Sequence, residues 1–168
     1  MENSKSNENF LFIILTIILL SLEIVACELS YENYGWMEQL FFYFALLFNI
    51  IPIILYLLKK KNTAIIFLLL IAAIIIPKQF MLANDLSQLR EETANIANYA
   101  YRMKLSTGKF PVDIKGYKFK YENLKDRIDY DNLKNGDDFQ IWFCVGTRST
   151  DHFYRHNFEN EKWYYYDD

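Results

Sequence analysis

The sequence predicts a membrane α-helical region of three transmembrane helices followed by a small α+β domain, with an amphipathic helix packed on an antiparallel sheet. Three observations predict it. Hydrophobic residues make up 52% of the 168 residues, yet the mean hydropathy is only -0.04, so apolar and polar residues are segregated along the chain. Residues 1–83 hold three apolar runs, each of a length that suits a membrane span. Residues 84–168 instead show helical spacing and then short alternating runs, and carry 13 of the 18 Lys+Arg and 15 of the 21 Asp+Glu.

The three runs are residues 10–27, 40–58 and 63–82. A span needs ~20 mainly apolar residues, with ~17–25 tolerated. Backbone groups in lipid must bond within their own segment, so each run is helical if it spans. The third run reaches full length only if its helix continues past Pro77. Lys59, Lys60 and Lys61 fill the short connection between the second and third runs, a positive-inside signal. The connection at 28–39 carries Glu28, Glu32 and Glu38 without Lys or Arg, and its Tyr31, Tyr34 and Trp36 suit an outer interface. This places the amino terminus and the lysines inside, and residues 84–168 on the periplasmic or extracellular side of a bacterial inner membrane. Ile24–Val25–Ala26–Cys27 also reads as a lipoprotein signal, but Lys5 stands against Glu2 and Glu8 ahead of it, where a signal peptide prefers net positive charge. An uncleaved span, acylation at Cys27 and simple signal cleavage remain as alternatives.

In the polar half, Leu82, Leu86, Leu89, Thr93, Ile96, Ala100 and Met103 recur at steps of three and four, an apolar helical stripe. Arg90, Glu91, Glu92, Asn95 and Asn98 are expected mostly on the opposite face. Gly108 and Pro111 end the helix. Ile114, Tyr117, Phe119 and Tyr121 alternate in part. Asn135–Asp138 is a turn cluster, and 139–145 is the clearest strand, with Phe139, Ile141, Phe143 and Val145 on one side. Residues 152–155 and 162–166 read as further strands, closely enough spaced for an antiparallel meander.

The apolar run ending in Ala72–Ala73–Ile74–Ile75–Ile76–Pro77, the polar amphipathic helix, the Gly108–Lys109–Phe110–Pro111 step and the small sheet together resemble type IV pilins and type II secretion pseudopilins. The resemblance covers residues 63–168 and implies a pilin-like fold for this region. The family's leader ends in Gly and is followed by Phe and a nearby glutamate. Here no Gly precedes the run, Lys60 stands near the glutamate's place, and two further runs come first. The resemblance therefore implies the fold and not pilus assembly.

Candidate sites are few. Glu23 and Asn49 are polar groups within apolar runs, suited either to interhelical bonding or to an ion or substrate path. His152 and His156 have a zinc-chelating spacing only on a helix, and they fall on an expected strand and turn. Ser149, Asp151 and His152 have triad residue types, but adjacency does not make a triad. Asp137, Asp138, Asp167 and Asp168 lack a regular calcium-ligand spacing. Of the aromatic run 163–166, Tyr164 and Tyr166 are the candidate partner contacts. Cys27 and Cys144 are expected as unpaired thiols.

With no clustered basic block in either half, nucleic acid is not an expected partner. No cofactor, metal or catalytic set is expected. The expected function is non-enzymatic: a membrane protein displaying its domain for protein binding or scaffolding in the cell envelope. The alternatives are an immunity-type inhibitor of an envelope-targeted toxin, and a transport component using Glu23 and Asn49.

Overall fold

The computed structural model describes the backbone of residues 2–32, 36–145, 152–157 and 162–167; the side chains of 2–9, 11, 36 and 152–167 lie outside the described set. The chain divides into two compact units, residues 1–82 and 83–168. It is mostly helical; among the described residues three helical stretches are long and apolar enough to cross a membrane, and a small antiparallel sheet follows.

In the first unit, α1 runs Glu2–Glu32 and packs along α2, Trp36–Phe48. The second apolar run is not one uninterrupted helix. It turns at Asn49 and Ile50 and resumes as α3, Ile51–Leu57, with Pro52 in its first turn. Pro52 has no N–H to continue an α-helical ladder, and its ring crowds the carbonyl four residues back. The turn is closed by tighter bonds, Asn49 N–H to Leu46 O at 3.1 Å and Ile50 N–H to Leu47 O at 3.1 Å.

The connection to α4, Lys61–Leu70, is held by the backbone. Lys59 takes a left-handed conformation, φ 62°. Its N–H reaches Tyr56 O and the Lys60 N–H reaches Leu55 O, each at 3.0 Å. These two bonds form a Schellman cap, with a lysine where glycine is usual.

A π turn, Ile71–Ile75, then leads into α5, Ile76–Thr107. The expected continuation through Pro77 is observed. The wider turn lies just before the proline, where the Ala73 carbonyl loses its α-helical donor. Ala26, Cys27, Ala45, Ile71 and Ile75 form the buried contact of this unit. Small residues among them let helices approach closely.

The second unit begins within α5. Leu89, Ile96 and Ala100 on one face of α5 bury against Phe139, Ile141 and Phe143 of the sheet. The helix stops at Gly108, φ 81°, whose N–H bonds Lys104 O at 2.8 Å. Phe110 then turns inward, its ring 4.6 Å from Phe139 and 5.5 Å from Tyr101. Its N–H bonds Gly136 O at 2.9 Å. Gly136 needs to be glycine twice over: its φ is 93°, and a Cβ there would lie 3.1 Å from Lys109 Cβ.

The sheet is an antiparallel meander in the order β1-β2-β3-β4: Ile128–Leu133, Asp138–Phe143, His152–Asn157 and Lys162–Asp167. The expected inward row, Phe139, Ile141, Phe143 and Val145, is buried, although strand pairing ends at Phe143. Residues 114–121, which alternate in part, form a strap of turns and irregular chain. The first strand lies at Ile128–Leu133, which the sequence did not single out, with Ile128 opposite Phe143 and Tyr130 opposite Ile141. Its sequence, IDYDNL, has weak strand propensity, and pairing with β2 overrides it.

Candidate functional site

Glu23 in the first unit and Glu92 in the second are both buried carboxylates, and each is described within its own unit.

In the first unit, Glu23 is only 2% exposed. Asn49, at the α2–α3 turn, donates from Nδ2 to Glu23 Oε1 at 3.3 Å and to Ala45 O at 2.9 Å. The two polar residues singled out in separate apolar runs therefore meet. The turn forced ahead of Pro52 carries Asn49, so the helix break and the polar pair are one feature. One turn further along α1, Cys27 is buried and accepts a contact from Gln79 Nε2 at 3.4 Å. Lys78 Nζ lies 2.7 Å from Glu28 Oε1. Cys27 and Cys144 are both thiols, as expected.

Lys59, Lys60 and Lys61 are exposed around the Schellman cap, and Lys61 Nζ lies 5.7 Å from the Tyr56 ring centroid. Tyr164 and Tyr166 lie on β4, where the register sets Tyr166 opposite Phe153, itself opposite Trp142, and Tyr164 opposite Arg155. Their side chains lie outside the described residues, as do those of His152, His156 and Asp167; Ser149, Asp151 and Asp168 lie outside entirely. Asp138 is buried, its Oδ1 accepting the Phe139 N–H at 2.8 Å, with Lys134 Nζ 3.7 Å from Oδ2. Among the described residues, no three His, Cys, Asp or Glu side chains are grouped to hold a metal ion.

In the second unit, the expectation for Glu92 is corrected. It does not lie on the polar face of α5 but is fully buried, at 0% exposure. Its carboxylate clamps the strap to the helix. Oε1 accepts the Tyr117 hydroxyl at 2.6 Å and the Lys120 N–H at 3.1 Å, while Oε2 accepts the Tyr121 N–H at 3.0 Å. Helix geometry explains the position. At ~100° per residue, position 92 lies about 60° from Leu89 and about 40° from Ile96, inside the apolar stripe. That arithmetic is legible in the sequence; the identity of the three donors is not.

Glu91, one residue earlier, is exposed and reinforces the strap from outside. It pairs with Lys120 Nζ and accepts the Tyr121 hydroxyl at 2.7 Å. The bonds from Lys120, then from Tyr121, hold its carboxyl below the usual range. Burial pushes the Tyr117 hydroxyl up, and its bond to Glu92 pushes it further in the same direction, so Tyr117 stays a donor.

A second fastening sits near the start of this unit. Arg127 donates Nη1 and Nη2 to the two Asp85 oxygens, each at 2.9 Å. Its Nε also reaches Cys144 O at 3.2 Å. This planar, bidentate geometry is peculiar to arginine. Two open grooves flank the strap. One, of about 480 Å³, has Asp113, Lys115, Glu122 and Lys125 on its rim. The other, of about 600 Å³, lies between the strap and α5.

Compared with known proteins, the chain matches no family model, no curated protein and no solved structure.

Proposed function

We propose that the chain is a non-enzymatic integral membrane protein of a bacterial inner membrane, which displays a pilin-like α+β domain on the outer side for protein binding or scaffolding in the envelope. One observation carries the membrane part. Large apolar side chains crowd the outward surface of the helices, with Phe10 66%, Ile53 59%, Leu57 74% and Leu69 64% exposed. An aqueous surface does not hold so many large apolar side chains together, whereas lipid requires them. The display part is supported by the second unit's own core and by its polar surface. The exposed lysines at 59–61 support an inside position for the α3–α4 turn. An amphipathic helix laid on an antiparallel meander supports the pilin-like reading of shape alone.

Paired fusions of alkaline phosphatase and a cytosol-dependent fluorescent protein after Asp168 test the sidedness. Phosphatase activity without fluorescence is expected, and the reverse pattern overturns the reading. Photo-crosslinking residues at Tyr164 and Tyr166 test the partner surface. A discrete protein adduct is expected from at least one position in intact cells, and adduct-free lanes from both count against it.

A second reading has one specific observation behind it, the meeting of Glu23 and Asn49 at a helix turn. Buried acids at helix breaks line ion and substrate paths in some membrane proteins. Undiminished cellular function in both Glu23→Gln and Asn49→Ala removes this reading in favour of a structural bond.

A further inference from the structure

The polar unit is nearly balanced in charge overall, but its charge is distributed unevenly. Residues 102–127 hold eight Lys+Arg against three Asp+Glu. Part of this excess borders the groove between α5 and the strap. Asn95, Asn98, Arg102 and Leu105 follow one another at steps of three and four, so they form a single wall along the helix. Tyr117, Lys118 and Lys120 form the facing wall. Lys120 is neutralised by Glu91, whereas Arg102 and Lys118 have no ion pair among the described residues. The other groove has acids interspersed with its lysines and lacks this imbalance.

The groove is also held in shape. The three bonds to buried Glu92 fix the strap against the helix. The Tyr117 ring is wedged edge-on between Tyr99, at 5.5 Å, and Phe119, at 5.1 Å. The backbones of the two walls therefore do not need to be ordered by a ligand, which lowers the cost of binding to that of fixing the Arg102 and Lys118 side chains. Its volume, about 600 Å³, falls in the ~300–1,000 Å³ range of small-ligand clefts.

From this we infer that the groove between α5 and the strap binds an anionic, hydroxyl-bearing ligand, a sugar or polyol carrying a phosphate or a carboxylate. Arg102 offers a planar fork that suits either anion, and Lys118 adds a second cation. The amides of Asn95 and Asn98 both donate and accept, as hydroxyl groups require. The Tyr101 and Tyr117 rings supply an apolar wall for the carbon skeleton. The inference stands on the second unit alone and is independent of which side of a membrane that unit occupies.

The test uses the full-length protein in a polyoxyethylene detergent, which contributes no sugar or anion. Isothermal titration with glucose 6-phosphate and with glucuronate distinguishes the two anions, with glucose and inorganic phosphate as the partial ligands. Saturable binding of at least one sugar anion with Kd below ~1 mM is expected, weakened ~10-fold or more, about 1.4 kcal/mol, in the Arg102→Gln, Lys118→Gln double variant. Lys125→Gln, on the other groove, leaves it unchanged. Amide exchange at Lys120 and Tyr121, equal to wild type in the double variant, shows that the groove's frame has survived. If exchange there rises, the single variants Arg102→Lys and Lys118→Gln carry the comparison instead. Three results overturn the inference: no saturation by either sugar anion, equal affinity of the charge variants, or inorganic phosphate binding as tightly as the ester. Tighter binding of an oligoglutamate peptide also overturns it, and assigns the groove to an acidic protein segment.

Discussion

Replacing Glu92 with glutamine preserves the shape of the side chain and removes one acceptor. In the native protein, Oε1 takes the Tyr117 hydroxyl and the Lys120 amide, while Oε2 takes the Tyr121 amide. A glutamine with its oxygen in the Oε1 place keeps two bonds and sets its NH₂ against the Tyr121 N–H. A bond to a charged group contributes ~1.5–3 kcal/mol, and an unpaired buried donor costs ~1–3 kcal/mol, so Glu92→Gln should weaken the clamp by about 2 kcal/mol. Alanine removes all three bonds, a gross loss of ~4.5–9 kcal/mol, but it also relieves much of the cost of keeping a carboxylate out of water. The net expectation for Glu92→Ala is about 3 kcal/mol. Hydrogen exchange read by mass spectrometry on the full-length protein in detergent measures this locally, because exchange follows the opening equilibrium when reclosing is fast. At ~1.4 kcal/mol per tenfold, exchange at Lys120 and Tyr121 should rise ~30-fold in Glu92→Gln and ~150-fold in Glu92→Ala. Peptides from α1 to α3 serve as an internal reference and should not change. Wild-type exchange at Lys120 and Tyr121 in Glu92→Ala would refute the clamp, since no other acceptor is assigned to those two amides.

Four further outcomes are expected. Gly108→Ala should cost ~1–2 kcal/mol from backbone strain alone, since nothing lies within 4 Å of the added methyl. Gly136→Ala should cost ~1–3 kcal/mol more, because its methyl meets Lys109 Cβ and the Phe110 carbonyl; denaturant midpoints in reverse order would contradict both accounts. A double-mutant cycle on Glu23→Ala and Asn49→Ala should show a coupling near ~0.6 kcal/mol and below ~1.7 kcal/mol, measured by unfolding in mixed micelles, and strict additivity would deny the bond. For Glu91, the folded carboxyl titrates below its unfolded value because of Lys120 and then Tyr121. Its contribution is therefore present above the unfolded carboxylate pKa and is lost as pH falls through the folded one. Exchange at the strap, corrected for intrinsic rates, should rise on acidification in that window in the wild type and less so in Glu91→Gln.

Much of the second unit was legible because its signals are local and periodic. The stripe from Leu82 to Met103, the stop at Gly108 and the inward row of 139–145 each rest on spacing that one element imposes on itself. What was not legible depends on partners distant in sequence. Ile128–Leu133 is a strand only because Phe139–Phe143 pairs with it, and two aspartates disguised it. Residues 114–121 alternated as a strand does, yet Glu92 and Glu91, 25 to 30 positions away, hold them as a strap. The same limit applies to Arg127, whose partner Asp85 lies 42 residues earlier. In the first unit, the apolar runs were plain from composition, and Glu23 and Asn49 were conspicuous as exceptions. That they touch follows from how α1 and α2 pack, which composition does not contain. The Schellman cap at Lys59 was hidden because the usual glycine is missing.

The meander has a kinetic consequence. Each strand of the sheet pairs with the strand made just before it, and the helix that covers the sheet precedes all four. Pairings between sequence neighbours close short loops, and chains built from them fold quickly for their size. As the chain emerges amino terminus first, α5 offers its apolar stripe before any strand exists, and β1 and β2 can dock on it while β3 and β4 are still to come. No earlier segment has to wait, exposed, for a later one to be threaded between its neighbours. Vectorial emergence and the order of assembly coincide, so time spent with bare apolar strands, when aggregation threatens, is kept short.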